Sequence, residues 1–510
     1  MKLKNILLCA SVLGGLALSS CTGNCLDEDR NPNSLDPENF WKSESDILKG
    51  LTAAYAGLQP TIEWAQPFER YIVIDNYRSD ELDYRPDVTA WMELAMYNNE
   101  STNYVPNDEW TNLYTSINYC NQCLDNIPNV PDNDDEGIKQ TKATSIAEAR
   151  FLRAFYYYRL FINFGERLPM FEHELEGTEE EFYPPVEAGR LKTFIETELS
   201  ECQANLPEKW NTNMAGRVTK YTAAALLGKY YMFIGEKAKA KTEFWKVIDS
   251  HRYELMENYG DNFNGLHENN KESILEVQFT GSLEGGHYEY NLFTLHLGPD
   301  SGCGAYEEAY PSKWLFNTLK KDLTEDGEYS DRLYETIIFD DPKSRPFYYE
   351  DGKGFSDYHQ EDNIYWRKYV TYDKSLGDYW DYSGFNIPLI RYADILLLYA
   401  ECLNDEGNSK EAIKYINKVR DRVHVTPLSD TLSKEQVLKH LQDVERPCEL
   451  ALEGSRWYDL IRWGIVEDAL KSHEKPFASN FISTKHIRLA IPHKEFLMNP
   501  DWVQNEGYTK

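Results

Sequence analysis

The sequence has few basic residues for its number of acidic ones. Lys and Arg together number 53 against 85 Asp and Glu, which gives a formal net charge of −32 over 510 residues. Nucleic acids and anionic lipid surfaces attract basic proteins, so a negative charge of this size argues against both as docking partners of the protein body. We therefore expect no nucleic-acid partner.

Cysteine is also scarce, and its distribution excludes a disulfide scaffold. Of nine cysteines, Cys9 and Cys21 lie at the amino end, which leaves an odd seven that cannot all pair within the chain. Cys120 and Cys123 form a C-x-x-C, but within a helical pattern and without the further ligands of a zinc site or a thioredoxin-like context. We expect these two side chains to fill a helical core, and we predict no metal site and no cofactor.

The signatures of common catalysts are missing. Eleven histidines include no H-E-x-x-H, and neither G-x-S-x-G nor a Walker sequence is present. Glu445, Glu449 and Glu453 share one helical face, and glycoside hydrolysis needs two carboxylates about 5–10 Å apart. Three arginines are interspersed with these glutamates: Arg446, Arg456 and Arg462. Because carboxylate–guanidinium pairing satisfies both partners, we predict structural ion pairs here and no enzymatic activity.

Long hydrophobic runs are absent beyond the first twenty residues. The apolar run 6–18 follows two lysines; it is too short to span a bilayer comfortably but suits the core of a signal peptide. It ends in Leu-Ser-Ser-Cys, the arrangement that a lipoprotein signal peptidase recognises, so we expect Cys21 to carry the lipid anchor. An ordinary secretory signal with an incidental cysteine is the alternative. The acidic residues 27–29 resemble export signals that send some Gram-negative lipoproteins to the cell surface.

Helical periodicity dominates the mature chain. Residues 43–46 resemble a capping box ahead of a first amphipathic helix, and a strong helix is predicted from about 140 to 164. The tyrosines at 156–158 lie within that helix and are predicted to be core.

Two later segments have the same spacing of small and apolar residues. The first is Leu227, Gly228, Tyr231, Gly235, Ala240 and Phe244, and the second is Tyr399, Ala400, Leu403, Gly407, Ala412 and Ile416. This spacing is typical of a tetratricopeptide repeat, in which two antiparallel helices approach closely at small residues. Each helix pair leaves an apolar face uncovered, so we expect several pairs to stack.

Residues 261–387 differ from the segments on either side. Glycines and aromatic residues are frequent, and short strand-like runs such as 273–279 replace sustained helices. We predict a mainly α fold: tetratricopeptide-like helical repeats form a scaffold, and a loop-rich irregular region packs on it. Loops on a rigid scaffold are where binding residues usually lie.

The order of motifs at the two ends of the chain is informative. RYADILLLYAE stands at 391–401, and the carboxyl end adds E-R, E-L, E-G and RWYDL within 445–460, then I-P and N-P within 491–500. The amino end contributes F-W at 40–41 and AEARFLRA at 147–154. Together these motifs resemble the SusD/RagB family of surface lipoproteins, over essentially the whole mature chain.

The resemblance implies a fold, a partner and a location. Members carry tetratricopeptide-like helices, bind oligosaccharides on the cell surface and act as a lid on a SusC-like TonB-dependent transporter. The chain is thus expected on the outer membrane, lipid-anchored and facing the cell exterior. It divides into a signal peptide (1–20), an acidic tether (21–35), an amino-terminal helical region (36–260), a loop-rich ligand-binding region (261–387) and a carboxyl-terminal helical region (388–510).

A sugar site needs a flat aromatic surface beside planar hydrogen-bonding groups. The amino-terminal loops supply both, the central region supplies a glycine-bracketed aromatic, and the stretch before the carboxyl-terminal repeat adds aromatic and charged groups. The candidates for glycan contact are Asp75, Asp80, Trp91, Cys303, Tyr306, Arg367, Trp380 and Tyr382. Family ligand sites use corresponding loops with varying residues, so no motif assigns these positions individually. Core packing remains the alternative for each aromatic residue.

Three other functions stay open beside glycan capture. Some relatives bind peptides, so a peptide receptor with the same lid mechanism is the runner-up. A glycoside hydrolase is less favoured because the glutamate-rich segment also carries arginines. A pure assembly protein would have little use for the aromatic-rich irregular regions.

Overall fold

A computed structural model describes most of the mature chain. The described residues are 40–60, 66–175, 184–280, 289–301, 304–344, 353–370 and 383–510. The proposed anchor Cys21 and the candidates Cys303, Trp380 and Tyr382 lie outside them. No helix among the described residues is long and apolar enough to cross a membrane.

Helices account for most of the described chain. The α-helices of four or more residues are α1 (Glu44–Ala56), α2 (Thr89–Ala95), α3 (Tyr104–Asn126), α4 (Glu136–Phe164), α5 (Arg190–Glu201), α6 (Lys220–Phe233), α7 (Lys237–Asp249), α8 (Phe293–Leu297), α9 (Lys313–Lys321), α10 (Asp331–Thr336), α11 (Tyr392–Asp405), α12 (Ser409–Arg422), α13 (Lys434–His440), α14 (Arg446–Glu449), α15 (Arg456–Trp463), α16 (Val466–Ser472), α17 (Ser483–His486) and α18 (His493–Met498). A short helix at Gln66–Phe68 runs into a π-helical turn at Glu69–Ile74, and a second π-helical turn at Leu441–Glu445 joins α13 to α14. The mainly α class predicted from the sequence is confirmed.

In the described part of the chain, six short strands form three antiparallel pairs. The strands are β1 (Leu82–Tyr84), β2 (Ser273–Val277), β3 (Ala309–Pro311), β4 (Ile337–Ile338), β5 (Tyr365–Trp366) and β6 (Ile387–Arg391). β1 pairs with β3, β2 with β6 and β4 with β5. Five of the six strands lie within or at the border of the loop-rich stretch, and β1 ties the amino-terminal part to it.

The helix pairs stack as the repeat spacing predicts. α6 packs on α7 and α11 on α12, and α7 packs directly on α11 although residues 250–391 lie between them. A Cβ atom on Gly228 would lie 2.4 Å from Cε1 of Phe244, so only glycine allows α6 and α7 to approach this closely. Gly235 and Gly407, at the turns of the two pairs, share a φ of +84° that favours glycine. Both copies of the repeat are confirmed.

Two helix starts show how closely local sequence rules predict helix boundaries. α1 begins at Glu44 as predicted, but the capping box is wrong because the Ser43 hydroxyl donates to the Asp46 carboxylate (2.6 Å) instead of accepting a backbone amide. α4 begins four residues before the predicted start, because the Asp135 side chain accepts from the amides of Gly137 and Ile138. It ends at Phe164, as predicted.

The predicted core residues are buried. Tyr156 and Tyr157 are fully inaccessible and Tyr158 nearly so. Cys120 and Cys123 are buried free thiols in α3, and burial raises the pKa of Cys123 to about 12. The C-x-x-C is therefore core packing, as the sequence indicated.

The three glutamates of the carboxyl-terminal motif are engaged in buried ion pairs. Glu445 accepts from Arg332 (2.8 Å) and Arg420 (2.6 Å). Glu449 and Glu453 both accept from Arg391, which stands at the end of β6 just before α11. Burial acts to raise the pKa of Glu449, but the surrounding arginines outweigh it and hold the pKa at about 2. Structural ion pairing is confirmed, but the interspersed arginines are not the partners of these glutamates. Arg446 and Arg462 pair with Asp459, and Arg456 pairs with Asp80.

Candidate functional site

The two aspartates singled out in the amino-terminal loops lie inside the fold. Asp80 is fully buried and accepts from Nε and Nη2 of Arg456, each at 2.7 Å, while Nδ1 of His473 lies 2.7 Å from its Oδ2. Burial acts to raise the pKa of Asp80, but Arg456 and His473 outweigh it and hold the pKa below its usual range. Asp75 accepts from Arg159 and from the Tyr458 hydroxyl, both at 2.7 Å. The structure thus uses both carboxylates to join distant segments.

Trp91 is also buried. It is 1% exposed, donates from Nε1 to Glu69 (2.7 Å) and packs against Phe68 with ring centroids 5.3 Å apart. Ligand contact by Trp91, Asp75 and Asp80 stays a prediction, and their burial does not favour it.

Tyr306 and Arg367 lie nearer to solvent. Tyr306 is 43% exposed, and its carbonyl oxygen accepts from Nη1 of Arg85 (2.6 Å). Arg367 is partly exposed and donates from Nε to Glu335 (3.2 Å). Of the described candidates, Tyr306 alone has a largely exposed ring, so it is the best placed of them to touch a ligand.

A polar pocket of about 360 Å³ opens beside Tyr306. We call it the loop pocket; its lining is Asp300, Ser301, Glu307, Ser356, Asp357, Tyr358, His359, Gln360, Asn363 and Tyr365. Two loops supply these residues: one precedes β3 and the other precedes β5. Tyr306 is the residue before the lining residue Glu307.

Backbone hydrogen bonds hold the first loop in place. The amides of Tyr306 and Glu308 donate to the carbonyl oxygens of Leu295 (2.8 Å) and His296 (2.7 Å). The amide of Asp300 donates to Oε1 of Glu307 (2.7 Å), which closes the loop on itself. The lining side chains of this loop therefore sit on a fixed frame.

A small apolar cluster supports the second loop. Ile338, Phe355 and Tyr365 are buried together, with Tyr310 packed against them. The Tyr365 ring lies 4.6 Å from that of His359, and its hydroxyl accepts from Nδ2 of Asn363 (2.7 Å). An aromatic wall and planar amide and carboxylate groups thus face one opening, which is the combination that sugar binding requires.

The protonation states in the pocket follow from burial. Burial raises the pKa of Tyr365 to about 12 and lowers the pKa of His359 to about 4. At neutral pH the phenol and the imidazole are therefore uncharged. The charged groups of the lining are its carboxylates.

Two other cavities are less suited to sugar binding. A partly open cavity of about 110 Å³ lies between α4, α6 and β6, and its charged lining residues, such as Arg159 and Arg462, are already ion-paired. A groove of about 390 Å³ is lined by Trp314, His440 and His473, but Trp314 is already stacked on His473 with centroids 3.9 Å apart. Neither presents an aromatic face beside unengaged planar groups.

No metal site stands out in the part of the chain that the structure describes, where three or more His, Cys, Asp or Glu side chains nowhere converge as ligands. The sequence reading missed residues 356–363 of the loop pocket. The sequence contains a signal for this loop, because Tyr358 stands among Asp, Gln and Asn in a stretch without helical or strand periodicity. Tyr306 was selected by the same criterion.

Comparison with protein families gives two matches that together span nearly the whole chain. A profile described as the SusD family matches residues 236–508. A second, described as starch-binding associating with outer membrane, matches residues 28–232. A SusD-like protein of Formosa agariphila is 26% identical over the full length of both chains, and one of Bacteroides ovatus is 24% identical over 88% of this chain and 80% of its own.

Solved structures show the same architecture. A SusD superfamily protein of Bacteroides vulgatus superposes with a TM-score of 0.79 at 24% identity, covering 92% of this chain and all of its own. A laminarin-binding SusD-like protein gives a TM-score of 0.75 at 26% identity with the same coverage. Surface glycan-binding protein A of Bacteroides uniformis gives 0.73 at 22% identity, covering 91% of this chain and 99% of its own.

Proposed function

Because this chain belongs to the SusD family, we propose that it is a cell-surface lipoprotein that captures oligosaccharides at the loop pocket and delivers them, as a lid, to a SusC-like TonB-dependent transporter. The observation that carries this proposal is the loop pocket itself, where Tyr358 and Tyr365 stand beside Asn363, Gln360 and carboxylates. Aromatic rings stack on the apolar faces of sugars, and planar groups take their hydroxyls.

Binding without turnover is part of the proposal. The glutamates that could suggest hydrolysis, Glu445, Glu449 and Glu453, are committed to buried arginines. The laminarin-binding relative is named for binding. We therefore assign this chain capture and no bond cleavage, and the absence of shorter products during long incubation with a bound polysaccharide would agree with that assignment.

The test is glycan binding by the purified soluble protein, with polysaccharide affinity gels and a glycan array. Replacing Tyr358 with alanine should weaken binding by about 1–3 kcal/mol, if aromatic stacking on nucleobases is a fair guide. Tyr306→Ala tests the exposed ring nearby. Tyr119→Ala is the matched control, since Tyr119 is a similarly exposed tyrosine (39%) on α3.

Each outcome of this test is informative. Loss of glycan affinity in Tyr358→Ala with an unchanged melting temperature supports the site. Equal losses in Tyr358→Ala and Tyr119→Ala would contradict it. Binding to a peptide mixture and to no glycan would favour the peptide receptor instead.

The location and the partner have their own experiment. The amino-terminal profile is described as associating with outer membrane, which supports a surface location, and Cys21 is the residue proposed to carry the lipid. Cys21→Ala should release a folded protein from the membrane fraction. The unaltered protein should co-purify with a barrel transporter from detergent-solubilised outer membranes, since an obligate interface commonly exceeds ~2,000 Å². Wild-type levels of membrane-bound Cys21→Ala protein would contradict the anchor.

A further inference from the structure

The charge of the loop pocket bears on which glycans it accepts. Among the described residues that line it, Asp300, Glu307 and Asp357 carry carboxylates, and none of these described lining residues is Lys or Arg. Burial raises the pKa of Tyr365 to about 12 and lowers the pKa of His359 to about 4, so both are uncharged at neutral pH. The described lining of the pocket therefore carries three negative charges and no positive one.

These carboxylates differ from the ion-paired acids of the core. Asp80 and Glu445, for example, are buried and paired with arginine, whereas within the described ranges none of the three pocket carboxylates takes part in an ion pair. Glu307 and Asp357 instead accept from backbone amides, of Asp300 (2.7 Å) and Gly354 (2.6 Å). An amide donor orients a carboxylate but leaves its charge in place.

Two described basic side chains lie close to the pocket. Lys353 is exposed and donates from Nζ to the Tyr358 hydroxyl (3.1 Å). Arg85 supports the Tyr306 carbonyl and pairs with Asp87. The single positive charge of Lys353 is smaller than the charge of the three carboxylates, and the net charge of −32 adds to the negative field.

Backbone contacts orient two of the negative groups. Glu307 adopts a φ of +52°, in the left-handed region, where the backbone hydrogen bonds of its loop hold it, and Asp357 accepts from the Gly354 amide. A ligand that brings a carboxylate or sulfate into this pocket therefore meets like charges at close range. A sugar hydroxyl, in contrast, donates to the same oxygens and is held.

We propose that the loop pocket selects uncharged glycans and rejects glycans that carry uronic acids or sulfates. This inference rests on the proposed function, since it concerns the ligand class of the same site. Electrostatic repulsion at close range depends on the charge of the glycan and not on which sugar or linkage it contains.

The experiment uses a matched pair of ligands. The uncharged polysaccharide that binds best on affinity gels is compared with the same polymer after partial oxidation of its C6 hydroxyls to carboxylates. We expect the oxidised form to bind about tenfold more weakly at low ionic strength, and the difference to shrink at 0.5 M NaCl, a concentration at which charges are screened over roughly 4 Å. A preferred ligand that is itself a uronic-acid or sulfated polymer would overturn the inference and leave glycan capture intact.

Two triple variants with the same net charge test whether the discrimination against charged glycans arises in the pocket. In Asp300→Asn/Glu307→Gln/Asp357→Asn the discrimination should fall to about twofold, because amides keep the acceptor oxygens but lose the charge. The control is a triple variant of exposed acids outside the pocket: Asp249→Asn, Glu257→Gln and Glu325→Gln. It should discriminate like the unaltered protein.

Three results would count against the proposal. Equal changes in both triple variants would assign the selection to net charge and not to the pocket. Unchanged discrimination in the pocket variant, or in the single Asp300→Asn if the triple variant does not fold, would also overturn it. Failure to bind any glycan would overturn the proposed function and this inference together.

Discussion

Replacing Asp80 with asparagine separates a structural role from a ligand-binding one. The Asp80 carboxylate accepts two hydrogen bonds from the Arg456 guanidinium, and His473 lies within hydrogen-bonding distance on the same side. Asparagine keeps one oxygen and turns an amide nitrogen toward these donors. The guanidinium would then remain buried without a counter-charge.

The burial of Asp80 and Arg456 determines how much stability the substitution is expected to remove. Asp80 is inaccessible and Arg456 is 3% exposed, so solvent cannot replace the lost charge. Removing one partner of a buried pair commonly costs about 3–5 kcal/mol. Equilibrium urea unfolding followed by tryptophan fluorescence is a suitable assay, because Trp314 lies 4.9 Å from the Arg456 guanidinium and reports on this site.

Two results would refute this reasoning. If Asp80→Asn left the free energy of unfolding unchanged within about 1 kcal/mol, the pair would not be structural. If it also lowered glycan affinity tenfold, Asp80 would be a ligand contact. The double variant Asp80→Leu/Arg456→Met should recover part of the stability, because it removes both charges together.

Three further predictions test the repeats and the core. Gly228→Val should lower the free energy of unfolding by about 1–3 kcal/mol through its clash with Phe244, measured by urea unfolding, and an unchanged value would argue against the close helix contact. Burial lowers the pKa of His296 to about 3, so the unfolded chain takes up the proton first as the pH falls below 6.5; stability should therefore drop by about 3 kcal/mol between pH 7 and pH 4.5, and His296→Phe should remove that drop. Cys120 and Cys123 should resist thiol reagents at pH 8 in the native protein and react fully in urea, because burial raises the pKa of both thiols.

The helical scaffold could be predicted because its signals are local. The spacing of Gly228, Gly235 and Phe244 fixes how two consecutive helices meet, and the same spacing recurs near Gly407. Helix starts depend on a few neighbouring residues, so errors there were small; Asp135 moved one start by four positions. The interspersed arginines indicated ion pairing at the carboxyl-terminal glutamates, but not the right partners. The arginines that pair with Glu445, Glu449 and Glu453 stand in other segments, at 332, 391 and 420.

The site could be predicted only in part because its contacts are not local. Asp75 and Asp80 are candidates from the sequence because their planar carboxylates stand in the irregular amino-terminal loops. Their partners Arg159 and Arg456 stand 84 and 376 positions away, and nothing near the aspartates in sequence reveals them. Tyr306 was placed beside the loop pocket, whose second wall comes from a stretch about fifty residues later. Cys303, Trp380 and Tyr382 lie outside the described residues, and their roles stay predictions.

The same long-range contacts explain why the two matched family regions act as one fold. The profiles meet between residues 232 and 236, which is the turn between α6 and α7, the two helices that Gly228 lets pack together. Lys229 on the amino-terminal side pairs with Asp394 on the other, and Asp80 pairs with Arg456 across the same boundary. One continuous apolar core runs from α1 to the carboxyl-terminal segment. The boundary between the profiles therefore does not separate two independent domains, and the loops that line the pocket depend on both halves for their position, because β1 of the first half pairs with β3 at the base of the pocket loop.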